Sequence, residues 1–209
     1  LYAIPMHKDF NAYKKLVIKY HHTLDLVSDV ALAHFDDKIA DSISYAELIK
    51  SKAEPGATIL DVGSGSGLPG LVLAIALPEN QIFLVERRQK RATFLKIAIS
   101  QLGLRNAKAF STDVSEIKEI TADVVTAMAV GSFKLLYCLT RHLHAEKVVL
   151  MSRKGDDFYG EIEELEQTIG VNSKLLSPTP SNTANVSRET IYGNLVAIEV
   201  LGGLECVGM

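Results

Sequence analysis

Between Phe10 and Leu24 the larger apolar residues recur at steps of three and four, as Phe10, Tyr13, Val17, Tyr20 and Leu24, while Lys14, Lys15 and Lys19 fall off that stripe. This period predicts an amphipathic helix with one buried face. A second helical pattern runs over 36–52 through Ile39, Ile43, Ala46, Leu48 and Ile49, and Glu54-Pro55-Gly56 breaks it. Beyond the break the rhythm changes to short apolar runs: TILDV (58–62), IFLVE (82–86), AKAFS (107–111), ADVVTAMAV (122–130) and KVVLMS (147–152). Helical stretches separate them, and the one over 88–103 gathers Leu95, Ala98, Ile99 and Leu102 on one face. Such alternation predicts a doubly wound α/β architecture, a mostly parallel twisted sheet with helices on both faces. Residues 158–169 predict an acidic helix whose Glu161, Glu163, Glu164 and Glu166 form a solvated face. The polar stretch SPTPSNTANVSRET (177–190) predicts a flexible loop, and IYGNLVAIEVL (191–201) a final strand that a long hairpin sets antiparallel to its neighbour. The chain reads as one domain over 1–209, with an N-terminal helical extension (1–54) and an α/β core (55–209).

Composition narrows the partners. With 22 basic against 25 acidic residues, the net charge of −3 does not announce a nucleic acid or a membrane, so any basic patch must be local. Cys138 and Cys206 stand 68 positions apart with no CxxC or Cys/His pattern, which predicts free thiols in a reducing, cytoplasmic setting and no structural zinc. No apolar stretch reaches the roughly 18 residues of a membrane span, and LYAIPMHKDF lacks the apolar run of a signal peptide. No metal cluster or nucleophilic triad emerges, and the histidines at 7, 21, 22, 34, 142 and 144 are expected to be structural or exposed.

The glycines of LDVGSGSGLPG (60–70) admit three registers. Gly65 to Gly70 spells the phosphate-loop pattern, but Leu71-Val72 stand where Lys and Ser/Thr are needed to meet phosphate and magnesium. The same residues spell the dinucleotide fingerprint GxGxxG, which would leave Gly63 and Ser64 inside the strand. The register Asp61-x-Gly63-x-Gly65-x-Gly67 starts the glycines at the strand's end and fits best. It belongs to Rossmann-like class I S-adenosylmethionine-dependent methyltransferases, whose cofactor packs against backbone bare of Cβ atoms. Glu86, 25 residues beyond Asp61 at the end of the second strand, can accept hydrogen bonds from both ribose hydroxyls. Such an acid serves a nicotinamide dinucleotide equally well, and Asp61 could instead cap the turn while Glu86 pairs with Arg87 or Arg88.

Beyond the class, LDVGSGSGLPG followed by LVERRQKRATFL (84–95) resembles the bacterial small-subunit ribosomal RNA guanine-N7 methyltransferases, the glucose-inhibited division protein B family. KYHHTLDLVS (19–28) is similar to the family's N-terminal "KWN…NLT" helix, Asp41-Ser42 falls on its "DS" pair and Lys154-Gly155 on its "KG". The chain departs from the pattern at Tyr20-His21 (family Trp-Asn), at Lys38 (family His) and at Met128 in AMAVGS (127–132), where the family carries arginine. The resemblance implies S-adenosylmethionine as cofactor, held by Gly63, Gly65, Gly67, Leu68, Val114, Ser115 and the position of Met128, with Lys154 as a substrate or cofactor contact. It implies a guanine in the decoding-region loop of 16S rRNA as target, presented on a small-subunit particle. Guanine N7 carries an in-plane lone pair, so no general base is required and catalysis is an effect of orientation. Arg87, Arg88, Lys90 and Arg91, with Lys14 and Lys15 on the first helix, are the local RNA-binding candidates. A methyltransferase of a small molecule or protein, and a nicotinamide-dependent oxidoreductase, remain as alternatives.

Overall fold

Three helices precede the first strand: α1 (Lys8–Tyr20), α2 (Asp29–Ala33) and α3 (Phe35–Lys52). In the computed structural model, which describes residues 8–128, 130–180 and 193–206, they are followed by strands and helices in alternation. These are β1 (Thr58–Val62), α4 (Gly70–Ala76), β2 (Gln81–Val85), α5 (Gln89–Leu102), β3 (Ala107–Phe110), β4 (Ala122–Ala127), α6 (Phe133–Thr140), β5 (His144–Lys154), α7 (Phe158–Ile169), β6 (Lys174–Pro180) and β7 (Asn194–Leu201). The apolar stripe of the first helix outlasts it by one turn: the Leu24 N–H still bonds the Tyr20 carbonyl at 2.9 Å before Asp25, at φ 53°, redirects the chain.

The sheet order is β3-β2-β1-β4-β5-β7-β6. β1 pairs in parallel with β2 and β4, as do β2 with β3 and β4 with β5, while β7 runs antiparallel to both β5 and β6. Chain order reverses between β1 and β4, so a crevice opens at their carboxyl ends, the place where ligands bind in open α/β sheets. Alternation of side chains along a strand divides the core into two halves. Leu195 and Ala197 of β7 join residues of α1, α3, α4 and α5 on one face, and Val196, Ile198 and Val200 join α6 and α7 on the other. The N-terminal helices thus share a core with the sheet. Among the described residues no helix is long and apolar enough to cross a membrane.

Three expectations are corrected. The glutamates of α7 are not merely solvated: Glu161 pairs with Lys154 at 2.7 Å, Glu164 with Lys134 at 3.2 Å, and Glu166 accepts from the backbone and hydroxyl of Ser173. The stretch expected as a loop from 177 is strand as far as Pro180. Its prolines are tolerated because β6 is an edge strand, with alternate N–H groups outside any ladder. Residues 181–192, the rest of that loop and the start of the expected last strand, lie outside the described residues.

Cys138 and Cys206, expected as free thiols, form a disulfide with their Cα atoms 6.1 Å apart. A separation of 68 residues carries no such signal in the sequence; the antiparallel return of β7 delivers the C-terminal tail to α6. There the Tyr137 hydroxyl donates to the Leu201 carbonyl and accepts from the Leu204 N–H, both at 2.9 Å, and Arg141 pairs with Glu205. Cross-linking a loop of this length restricts the unfolded chain. Cys206→Ser is therefore expected to lower the unfolding free energy by about 2–4 kcal/mol in oxidising buffer. In excess reductant the wild type should match the variant in urea unfolding, and equal stability in both buffers would show that the cross-link contributes nothing.

Candidate functional site

The turn after β1 begins at Gly63, where the strand ends, so the register Asp61-x-Gly63-x-Gly65-x-Gly67 is the one the fold uses. The Gly63 and Ser64 N–H groups bond the Val85 carbonyl at 2.9 and 3.1 Å, fastening the turn to the end of β2. Two glycines are sterically required. Gly67 has φ 101° and a Cβ there would collide with Leu71, while a Cβ on Gly70 would come within 2.5 Å of the Asp61 carboxylate and 2.7 Å of Leu84.

Asp61 is fully buried beneath this turn. One carboxylate oxygen accepts from the Gly70 N–H at 3.2 Å, at the start of α4, and the other from the Thr126 hydroxyl on β4 at 3.0 Å. Burial pushes its pKa up to about 7, against the pull of the hydrogen bonds around it. Above the turn the buried Tyr13 hydroxyl donates to the Ser66 carbonyl at 2.9 Å. Sequence reasoning placed Tyr13 only in an apolar stripe, since its hydroxyl leaves no periodic signature.

A cavity of about 570 Å³ lies beside the turn, at the carboxyl ends of β1, β2 and β4. Of the residues expected to hold a cofactor, Gly63, Glu86, Val114 and Met128 line it. Glu86, only 6% exposed, directly follows β2; one carboxylate oxygen accepts from the Gly65 N–H at 3.0 Å and the other from the Arg88 N–H at 2.8 Å. Asp61, Gly65, Gly67, Leu68 and Ser115 are not among its lining residues, and Ser115 donates its N–H and hydroxyl to Asp113 at 3.1 and 2.9 Å. Those bonds hold the Asp113 carboxyl below the ordinary range, with Arg87 adding to the effect. Asp113 and Thr112 line the cavity and were not singled out from the sequence; Asp113 precedes Val114 in a 3-10 turn whose ligand-facing side no periodicity reveals.

Of the basic candidates, Arg87, Arg88 and Arg91 line the cavity, and Arg91 also donates to the Asp25 carbonyl at 2.9 Å. Lys90 and Lys15 are exposed, and Lys14 pairs with Asp36. Lys154 is buried at the end of β5, bonding the Gly131 carbonyl and Glu161 with its ammonium 4.6 Å from the Phe133 ring centroid. Its neighbour Arg153 bonds Asp41 and, at 2.8 Å, Ser44 of α3. Both cations are engaged with partners of their own rather than lining the wall beside Met128.

A family model for rRNA small subunit methyltransferase G (GidB) matches residues 6–191. The ribosomal RNA small subunit methyltransferase G of Wolinella succinogenes is 30% identical over 154 residues, 74% of this chain and 78% of that protein. The protein of the same description from Neisseria meningitidis serogroup C (strain 053442) is 32% identical over 160 residues, 77% and 76% of the two chains. Among solved structures, magnesium protoporphyrin IX methyltransferase from Synechocystis PCC 6803 with bound SAM gives a TM-score of 0.59 at 10% identity, over 96% of this chain and all of that one. Precorrin-6y C5,15-methyltransferase from Geobacter metallireducens GS-15 gives 0.53 at 15% identity, over 76% and 85%. The last two likenesses are of fold: a seven-stranded, Rossmann-like methyltransferase sheet with antiparallel C-terminal strands.

The Asp61 carboxyl makes stability depend on pH. An aspartate titrates near 3.8 when unperturbed and near 7 in this fold, so between those values the folded chain keeps a proton that the unfolded chain has lost. The stabilisation this confers is complete below about 3.8 and is lost as pH rises through about 7. Asp61→Asn is expected to flatten the decline in unfolding free energy across this window, measured by urea titration at several pH values. A decline of unchanged steepness in the variant would assign it to other groups.

Proposed function

The chain belongs to the rRNA small subunit methyltransferase G family, and from that premise we propose that it transfers the methyl group of S-adenosylmethionine to N7 of a guanine in the decoding-region loop of 16S rRNA. The observation that carries the reading is the buried Glu86 carboxylate on the wall of the cavity, at the end of β2 and against the glycine turn. Each of its oxygens accepts one backbone N–H and retains a lone pair, enough to take two adjacent ribose hydroxyls. Val114 offers an apolar wall for adenine, and Asp113 beside it can accept from an exocyclic amine. The volume suits a cofactor of this size. When bound, S-adenosylmethionine supplies an electrophilic methyl group on a positively charged sulfur.

The chain's own part in the reaction is placement. N7 attacks with a lone pair it already has, so no side chain must remove a proton first. Arg87 and Arg88, exposed at the cavity's rim, are suited to RNA phosphates. A net charge of −3 gives little general attraction for naked RNA. We therefore take the substrate to be a small-subunit particle, whose folded surface adds contacts that a loose strand lacks, and the setting to be the cytoplasm.

Glu86→Ala is expected to weaken S-adenosylhomocysteine binding by about 1–3 kcal/mol, the loss of charge-assisted hydrogen bonds, with affinity for the particle unchanged. Calorimetry reads the first and filter binding the second. Full cofactor affinity in the variant would remove Glu86 from the site. Mass spectrometry of 16S rRNA from a deletion strain should show one 7-methylguanosine lost and its return on complementation; no lost methyl group would overturn the assignment of the target.

A further inference from the structure

We propose that His21, His22 and Asp29 form a binding site for a divalent transition-metal ion of the zinc class, separate from the cofactor cavity. The histidines, expected singly to be structural or exposed, lie in the turn that ends α1, and Asp29 opens α2 behind its Ser28 cap. His21 Nδ1 lies 3.8 Å and His22 Nε2 3.7 Å from the same Asp29 carboxylate oxygen, and the three ligand atoms all fall within 4.8 Å of one another. A tetrahedral zinc site with bonds of about 2.1 Å has ligand-to-ligand edges of about 3.4 Å. The two His–Asp edges, 3.8 and 3.7 Å, close on an ion with shifts of a few tenths of an ångström, and the exposed His22 side chain can swing to bring its ring nitrogen, within 4.8 Å of that of His21, into the same sphere.

His21 is the independent sign that the cluster is built to hold something. The residue is only 8% exposed, and Nδ1 is buried without a hydrogen-bond partner among the described residues. Buried ring nitrogens are almost always satisfied, yet this one faces the Asp29 carboxylate at more than bonding distance. The two imidazole rings lie with centroids 3.8 Å apart, close enough for both to offer a lone pair to one cation. Two imidazoles and a carboxylate select zinc, cobalt or nickel over magnesium or calcium, which take oxygen ligands. The exposure of two of the three ligands provides an entry path and leaves the remaining coordination position to water.

An ion there would tie the end of α1 to the start of α2. The turn it spans is the one whose Asp25 carbonyl accepts from Arg91, a residue of the cavity wall.

The test uses the full chain stripped with chelator and titrated with zinc by calorimetry and with cobalt by visible absorption. One equivalent should bind with tetrahedral cobalt bands. His22→Ala and Asp29→Asn, both at exposed side chains that leave the core intact, should each weaken zinc binding by at least the roughly 10-fold that loss of an outer-shell partner alone brings, and erase the bands. His34→Ala, which removes the other surface His–Asp pair at 3.4 Å, should change neither. Zinc affinity unaltered in the His22 and Asp29 variants, or no stoichiometric binding at micromolar zinc, would overturn the proposal. Neither outcome touches the methyltransferase reading, because the assay reads metal alone.

Discussion

The buried Asp61 carboxylate is the constraint on which the site depends. It joins three elements that are far apart in sequence: its own strand β1, the first turn of α4 through the Gly70 N–H, and β4 through the Thr126 hydroxyl. A carboxylate taken out of water loses its hydration, and these bonds return only part of that loss, as its raised pKa records. What the arrangement secures is position. The strand end and the helix start are pinned to one pair of oxygens, so the chain between them must turn tightly. Gly70 must lack a Cβ because the carboxylate occupies that space.

Around this anchor the charges fall into two groups with different surroundings. Arg153 and Lys154 at the end of β5 are turned toward carboxylates, Asp41 on α3 and Glu161 on α7, and each lies near an aromatic ring. Burial pushes the Asp41 carboxyl up and Arg153 pulls it back, the balance expected of a desolvated pair that fixes geometry more than it adds stability. Arg87 and Arg88 instead face the open side of the cavity. Met128 lines the cavity wall and packs against the core. A methionine there fills space and withholds charge, which leaves the cation count of the cavity to the β2 side.

Elements with a regular signal were legible in the sequence: the period of α1, the buried strands β1, β2, β4 and β5, the start of the glycine turn at the end of β1 and the position of Glu86 just after β2 all follow from local pattern. Features that depend on two distant segments meeting were not. Cys138 and Cys206 are neighbours only because β7 runs back along β5. The ion pairs of α7 required the neighbouring ends of β5 and α6, so from sequence its glutamates resembled any solvated face. Tyr13 was visible as an apolar position, but the partner of its hydroxyl lies 53 residues away. Asp113 shows the same limit on a small scale, for the side of a three-residue turn that meets a cavity is set by what packs behind it.

The N-terminal helices are better understood as a brace behind the site than as an appendage to the sheet. Three polar ties lead from them to one edge of the fold: Tyr13 to the glycine turn, the Asp25 carbonyl to Arg91 at the start of α5, and Asp41 with Ser44 to Arg153 at the end of β5. Apolar packing alone would hold α1 and α3 to the sheet with some freedom to slide, since dispersion is weakly directional. Hydrogen bonds to carbonyls and a guanidinium are directional and remove that freedom. A methyl transfer that needs no proton abstraction draws its rate from how closely donor and acceptor are held in line. For the proposed reaction, fixing two elements that border the cavity, the glycine turn and the start of α5, to a common set of helices is therefore the contribution that placement asks of the protein.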